Sequence, residues 1–229
     1  MIREDTMNNT RMKGRSWGPV LATILMIGMP ACLVPPFSSL QDARLLGKGR
    51  VELTPFYSSI GSSSDGDSSH VQNDYGVQGF WGVAGWLDVG FRYEYLYHPD
   101  SGSEYDASES AHTIAAGPKF SLIKNYFAVC LPVGFAFGKN VFPSDTWEFM
   151  PTAVFTLPLA KVVDLNLSAK TLIPLHKGSD TLYAVNVGLG IRPGGGSLNL
   201  RPEAGVLFNP GGGGFNYHLS LGLSCRFGK

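Results

Sequence analysis

Hydrophobic and polar residues alternate most regularly near the end of the chain. From Tyr217 to Phe227, every odd position is apolar or aromatic, and every even position is polar, small or charged. This segment is about twice as long as a typical strand of a soluble protein. It matches the length that a tilted strand needs to cross the hydrocarbon core of a bilayer. The pattern therefore predicts a strand with one face in lipid and the other in a polar interior.

The same alternation recurs along the chain and decides the predicted fold class. The alternating segments are 49–59, 71–82, 87–97, 111–122, 126–138, 147–158, 164–175, 181–192, 198–208 and 215–227. We therefore predict an all-β, closed antiparallel up-and-down transmembrane β-barrel of about ten strands, with eight or twelve strands as the alternatives.

The connections between these segments alternate in length. Polar loops are expected near 60–70, 98–110 and 139–146, with shorter ones at 176–180 and 209–214. The intervening turns are tight, for example Ala84-Gly85. Long loops at one end and short turns at the other are typical of barrels in outer membranes, where the short turns face the periplasm. Both ends of the barrel are therefore expected at the short-turn end.

The apolar face is expected to point outward into lipid. The opposite face is dominated by Gly, Ala, Ser and Thr, whereas the surface of a soluble protein would be richer in Lys and Glu. A soluble β-sandwich with an aromatic core is the alternative. Aromatic residues near segment ends fit interfacial girdles: Trp81, Trp86, Tyr95, Tyr97, Tyr126, Trp147 and Phe227.

Prolines inside the segments predict that some strands are broken. Each proline lacks the N–H group that a strand uses in its hydrogen-bond ladder. The prolines in question are Pro55, Pro118, Pro132, Pro151, Pro158, Pro174 and Pro202.

Composition narrows the functional classes. The chain has 18 basic and 18 acidic side chains, so it has no electrostatic footprint for nucleic acid. It is 12% aromatic and 16% charged, which argues against disorder. Cys130 is expected to face inward and Cys225 outward, which makes a disulfide between them unfavourable.

The first residues have the features of an export signal. Lys13 and Arg15 precede the short apolar run 19–29, so residues 1–31 are predicted to be a signal peptide. Cys32 follows at the position of a lipidated cysteine in a lipobox-like context. We therefore predict a lipidated linker at 32–47 that tethers the barrel, residues 48–229, from its short-turn end. In the alternative reading, Cys32 follows an ordinary cleavage site and is unmodified.

Nine charged residues share the inward-facing parity of their segments. In a narrow barrel such charges must pair, so we predict a network across the lumen. The favoured reading is a closed lumen, and a narrow solute path selective for charge is the alternative. The network residues are Arg92, Glu94, Lys119, Glu148, Lys170, Arg192, Arg201, Glu203 and Arg226.

Three groups of residues have candidate chemistry of other kinds, and none carries an assignment. His218 and Ser220 have the spacing of a base and a nucleophile, but they face the lumen and have no identified carboxylate. Asp and His residues near the expected rim resemble the groups of omptins, and acidic residues of the first two loops could bind calcium, but neither set has the corresponding motif. The rim residues are Asp74, His70, His98, Asp100 and His112, and the acidic ones are Asp65, Asp67, Asp100, Glu104, Asp106 and Glu109. We assign no catalytic or metal-binding residue and expect no cofactor.

From about residue 48 to the end, the chain resembles small, porin-like bacterial outer-membrane β-barrel proteins. The resemblance rests on the alternating segments, the hairpin containing Gly117–Phe120 and Leu131–Phe135, and the closing Leu219–Phe227. It implies a place in the bacterial outer membrane, with membrane lipids and the barrel-assembly machinery as partners. We expect a non-enzymatic, structural or narrow porin-like role for an unidentified solute. The alternatives are an outer-membrane hydrolase, resembling lipid A deacylases or omptins, and a surface ligand-binding or adhesin barrel.

Overall fold

The computed structural model describes residues 33–64, 66–99, 110–195 and 197–228. The predicted signal peptide and Cys32 lie outside these residues, as does most of the loop expected at 98–110. Among the described residues, no helix is both long and apolar enough to span a membrane.

The regular secondary structure of the described residues is almost entirely β-strand. Two short 3₁₀ helices, Pro143–Asp145 and Pro193–Gly195, lie in connections. The strands are β1 (Val51–Ser64), β2 (Asp67–Ala84), β3 (Leu87–Tyr97), β4 (Ser110–Ile123), β5 (Phe127–Cys130), β6 (Val133–Gly138), β7 (Glu148–Phe149), β8 (Thr152–Ala160), β9 (Val163–Pro174), β10 (Leu182–Ile191), β11 (Leu198–Phe208) and β12 (Phe215–Phe227).

These strands close into an antiparallel barrel. The first strand pairs with the last, from Val51 opposite Phe227 to Ser63 opposite Phe215. Strands β5 and β6 both pair with β4, and β7 and β8 both pair with β9, so each couple acts as one interrupted strand. The wall therefore has ten strands by position, as predicted.

Both interruptions occur at prolines. The break between β5 and β6 contains Pro132, and the break between β7 and β8 contains Pro151. Opposite the first break, a Cβ on Gly117 would lie 2.4 Å from both the Leu131 oxygen and the Pro132 Cα, so only glycine fits there. The other five prolines stay inside continuous strands. The expected breakage is thus confirmed at two positions.

The apolar face of the wall points outward. In β12, His218 is buried, whereas Leu219 is 64% exposed. Leu221 and Leu223 repeat this exposure along the same strand. The aromatic residues Trp81, Trp86 and Tyr126 are also at least half exposed. This orientation confirms the predicted faces and excludes the soluble sandwich.

The region 60–70, expected to be a loop, is mostly strand. The pairing of β1 with β2 continues to Ser64 opposite Asp67. Its serine-rich and acidic composition indicates a loop when read alone. Side chains at Ser68, Ser69 and His70 are exposed, and a hairpin that projects into water can carry polar residues on both faces.

Residues 33–46 are not an external linker. Although these residues form no strand or helix, most of them are buried. Their partners are inward-facing side chains on strands all around the barrel, and only the lumen is within reach of all of these strands. We call residues 33–46 the plug.

Candidate functional site

The plug runs along the lumen from one end to the other. The Leu46 N–H donates to Asp88 Oδ2 at 3.0 Å, at the start of β3. The Val34 N–H donates to Gln72 Oε1 at 2.9 Å, and the residue after Gln72 pairs with Tyr97, the last residue of β3. The N-terminal end of the plug therefore lies at the long-loop end, opposite to the end where the sequence predicts the tether.

A glycine turn connects the plug to the wall. Gly47 has φ +83° and Gly49 has φ +80°, in the region that favours glycine. The Gly49 N–H donates to the Gly82 oxygen at 2.8 Å, and the Gly82 N–H donates to the Arg50 oxygen at 2.8 Å. The turn thus reverses the chain, and these two hydrogen bonds attach it to the end of β2.

Wall side chains hold the backbone of the plug. Glu203 accepts hydrogen bonds from the N–H groups of Ser39 (2.6 Å) and Leu40 (2.8 Å), one on each carboxylate oxygen. Leu40 has φ +50°, an unfavourable conformation for leucine. The carboxylate of Glu203 therefore holds a bend in the plug that leucine would not adopt readily by itself.

Other wall residues bond the plug in the same way. Lys170 Nζ donates to the Ser38 oxygen at 3.0 Å, and Asn186 Nδ2 donates to the Phe37 oxygen at 3.0 Å. Lys119 Nζ donates to the Asp42 oxygen at 2.6 Å. The Ala43 N–H donates to Thr156 Oγ1 at 2.8 Å. Buried plug backbone groups thereby regain partners that replace water.

A charged layer fills the lumen toward the short-turn end; we define it by Asp42, Arg44, Glu52, Arg201 and Arg226. Arg201 Nη2 lies 3.1 Å from both Asp42 Oδ2 and Glu52 Oε1. Arg226 binds the same two carboxylates, at 3.1 Å and 2.6 Å. Two arginines from the wall thus compensate one carboxylate of the wall and one of the plug.

An apolar layer fills the lumen toward the long-loop end; we define it by Val34, Phe37, Ile60, Met150, Leu172 and Leu207. These side chains form one buried cluster. The Phe37 ring also meets the His218 ring edge-on, with centroids 4.7 Å apart. Val34 and Phe37 of the plug therefore complete a packed cross-section of the lumen.

Seven further members of the predicted network lie in or beside the lumen. Arg92 is ion-paired with Glu94, and its Nη2 donates to Ser38 Oγ of the plug at 2.5 Å.

Arg192 is ion-paired with Asp164, which also pairs with Arg44. Glu148 is half-buried in β7 and has no ion pair with a described residue. The buried members Lys119, Lys170 and Glu203 bond the plug backbone.

Sequence reasoning missed the acidic half of this network. The nine predicted residues contain six cations and three anions, so the excess of positive charge was itself a signal. Glu52, Asp88 and Asp164 have the inward parity on β1, β3 and β9 and could have been found by it. Asp42 and Arg44 lie on the plug, where no periodicity reveals a facing direction.

His218 and Ser220 lie together, but the plug covers them. His218 Nδ1 is 2.6 Å from Ser220 Oγ, and Nε2 is 3.8 Å from Glu203 Oε1. These are the groups of a nucleophilic triad. However, the His218 side chain is only 1% exposed, and Ser220 also bonds to Ser58 Oγ at 2.6 Å. The arrangement provides a polar network rather than an accessible site for a substrate.

The rim candidates are not brought together. Asp74 is buried in the lumen and accepts a hydrogen bond from Gln72. His112 lies among Tyr93, Tyr95 and Phe137. His70 is exposed, His98 is half-buried, and Asp100 lies outside the described residues. These positions do not form one catalytic rim.

Acidic and cysteine residues of the described chain form no metal cluster. Across the described ranges, no group of three or more His, Cys, Asp or Glu side chains could hold a metal ion. Asp67 is exposed, and the acidic residues Asp65, Asp100, Glu104, Asp106 and Glu109 fall outside those ranges. Cys130 is buried and Cys225 half-buried, and both are free.

The fold and the site define a closed antiparallel β-barrel with an apolar outer face and a filled lumen. Among solved structures, it is similar to Ail, the attachment invasion locus protein of Yersinia pestis. The two chains are 13% identical, 79% of this chain and 99% of that chain are covered, and the TM-score is 0.38.

Similarity of the same kind extends to two other barrels. Neisserial surface protein A is 13% identical, with 79% of this chain and 100% of that chain covered and a TM-score of 0.38. The N-terminal barrel domain of Pseudomonas aeruginosa OprF is 11% identical, with 78% and 98% covered and a TM-score of 0.29. No protein-family model matches the chain, and neither does any curated protein.

Proposed function

We propose that the protein is a non-enzymatic barrel of the bacterial outer membrane, with a structural role in the envelope and a lumen closed by its own N-terminal segment. The observation that carries this proposal is the plug, which is bonded to the wall from Leu46 to Val34. A filled lumen favours the structural role over the narrow porin-like one.

The outer face supports a place in a membrane. Large apolar side chains such as Phe91, Val187 and Leu221 are exposed on separate strands around the wall. Exposing so much apolar surface to water would be unfavourable, whereas lipid solvates it. With the export signal expected at residues 1–31, this supports the outer membrane as the location, with its lipids and the barrel-assembly machinery as partners.

The covered His218–Ser220 pair supports a non-enzymatic role. A nucleophile needs an approach path for its substrate, and the Phe37 ring lies against the His218 ring. The enzyme alternative would be revived if a lipid or peptide hydrolase activity of the purified protein disappeared in the variant His218→Ala.

Conductance in a planar bilayer tests the closed lumen. We expect the full-length barrel to be silent and a variant lacking residues 33–46 to give discrete current steps. The variant Lys48→Ser, altered only at the exposed turn after the plug, is the control and should stay silent. Heat-modifiable migration on a gel establishes that each barrel is folded. Discrete steps from the full-length barrel, equal to those of the deletion variant, would overturn the proposal.

Lipidation of Cys32 is a separate part of the proposal. The residue stands where a lipobox cysteine would, and labelling with radioactive palmitate tests it. Labelling should be lost in Cys32→Ser and retained in Cys225→Ser, the matched control. Labelling that persists in Cys32→Ser would refute lipidation at this residue.

A further inference from the structure

We propose that the lumen is a binding site for extended peptides, with the plug as its built-in occupant. This goes beyond closure of the lumen, because a closed lumen needs only a filler, whereas a binding site makes specific contacts that a separate peptide can also make. The ligand class is an extended peptide with an aromatic residue followed, five positions later, by an Asp-x-Arg sequence.

The first argument is that wall side chains bond the plug backbone along its length. Gln72 does so with both polar atoms of its side-chain amide. Its Oε1 accepts from the Val34 N–H at 2.9 Å, and its Nε2 donates to the Val34 oxygen at 3.0 Å. Backbone groups held by wall side chains belong to Val34, Phe37, Ser38, Ser39, Leu40, Asp42, Ala43, Arg44 and Leu46. Such contacts bind an extended chain regardless of its side chains.

The second argument is that three plug side chains have dedicated partners. Asp42 is held by two arginines of the wall. Arg44 makes a two-pronged contact with Asp164, with Nη2 at 2.8 Å from Oδ1. Phe37 packs in the apolar layer against Leu172 and its neighbours. These contacts select for sequence, as side-chain pockets do in peptide-binding proteins.

The third argument is that the plug is not part of the β-sheet that forms the wall. It forms no strand, and β1 closes the barrel directly against β12. The only covalent connection between plug and wall is the turn at Gly47–Gly49. A separate peptide of the same sequence could make the same contacts, while the covalent link keeps the plug at a high effective concentration and excludes competitors.

A cleavable plug tests the proposal. A protease site replaces Lys48 in the exposed turn, and the folded barrel is cut there in detergent micelles. A fluorescent peptide of residues 33–46 is then added and its anisotropy measured. We expect saturable binding to the cut barrel and none to the uncut barrel. A control peptide carrying Asp42→Asn and Arg44→Gln should bind at least tenfold more weakly.

A second measurement covers the case in which the cut plug never leaves. The barrel lacking residues 33–46 is refolded with either peptide present. Binding of the natural peptide, or its rescue of folding, supports the proposal when the control peptide does neither. Equal effects of the two peptides, or no binding in both measurements, would overturn it. That result would leave the conductance prediction standing, because a plug can close a lumen without being exchangeable.

Discussion

The apolar layer and the charged layer hold the same plug by different interactions. In the apolar layer, Val34 and Phe37 are buried among aliphatic side chains, and the stabilisation grows with the area removed from water. In the charged layer, Asp42 is buried between Arg201 and Arg226, and the attraction must offset the loss of hydration of every charge. Stabilisation by the apolar contacts decreases gradually as buried area is lost. Stabilisation by the ion pairs of Asp42 is lost when one partner is removed.

The difference shows what each layer can contribute. Packed hydrocarbon closes a cross-section without specifying which segment fills it. Buried charges accept only a segment that supplies matching charges at matching positions, since an unpaired buried charge is costly. We infer that the apolar layer seals the lumen and the charged layer specifies the register of the plug.

Removing Arg201 should have the largest effect. The variant Arg201→Met leaves Asp42 and Glu52 with Arg226 alone, and breaking a buried pair costs about 3–5 kcal/mol. Urea unfolding in lipid vesicles measures this loss. Adding Asp42→Asn should restore part of the stability, because it removes one uncompensated charge. A loss below about 1 kcal/mol in the single variant, at the low end of such measurements, would show that the layer does not specify the register.

Truncation in the apolar layer should come next. Leu172→Ala removes buried methyl groups from the lumen and should cost about 2–5 kcal/mol by the same unfolding measurement. Because no charge is involved, the loss should not change with salt. Leu167→Ala on the lipid-facing side of the same strand is the matched control and should cost less. Equal losses at the two positions would mean that the lumen is not packed as the structure shows.

The variant Glu203→Gln should have an intermediate effect on the bend of the plug. Glutamine keeps one acceptor oxygen, so either the Ser39 or the Leu40 N–H loses its partner, at a cost of about 1–3 kcal/mol. Hydrogen exchange should become faster at Ser39 or Leu40, with Ala43 as the internal reference because Thr156 still accepts its N–H. Unchanged exchange at both residues would show that Glu203 does not accept these two hydrogen bonds.

The smallest effect is expected at Arg44. Its partner Asp164 also pairs with Arg192, so Arg44→Met alone should cost less than about 1 kcal/mol. The double variant Arg44→Met, Arg192→Met should cost more than the sum of the single variants, because Asp164 then has neither partner. Strict additivity in this cycle would show that the two arginines do not share the carboxylate.

Strand periodicity predicted most of the wall, although not the strand pairing at 60–70. Alternation between polar and apolar positions has a period of two, so it predicts which side chains of β3 or β12 face inward, such as Arg92 and His218. The seven prolines predicted that some strands are broken, but not that the breaks fall at Pro132 and Pro151. What parity does not provide is pairing across strands. The approach of Glu203 to His218 depends on the register of β11 and β12, in which Glu203 lies opposite Ser220.

The plug was not predictable by the same reasoning. Its sequence contains Pro35-Pro36 and small polar residues, which is typical of a linker, and it has no periodicity because it forms no regular structure. Its conformation is set by the wall, for example by Glu203 at the bend and by Gln72 at the end. Such a segment can be recognised only once the positions of those partners are known.

Cross-linking of Gln41 to Cys130 tests the placement of the plug most directly. Cys130 Sγ lies 3.4 Å from Gln41 Oε1. The variant Gln41→Cys is made with Cys32 and Cys225 replaced by serine, and the folded barrel is treated with a short bifunctional thiol reagent. We expect an intramolecular link between the plug and β5, detected by mass spectrometry, and no link in a Lys48→Cys control. Free labelling of Gln41→Cys by a bulky maleimide in the folded barrel, without a link to Cys130, would show that the plug lies outside the lumen.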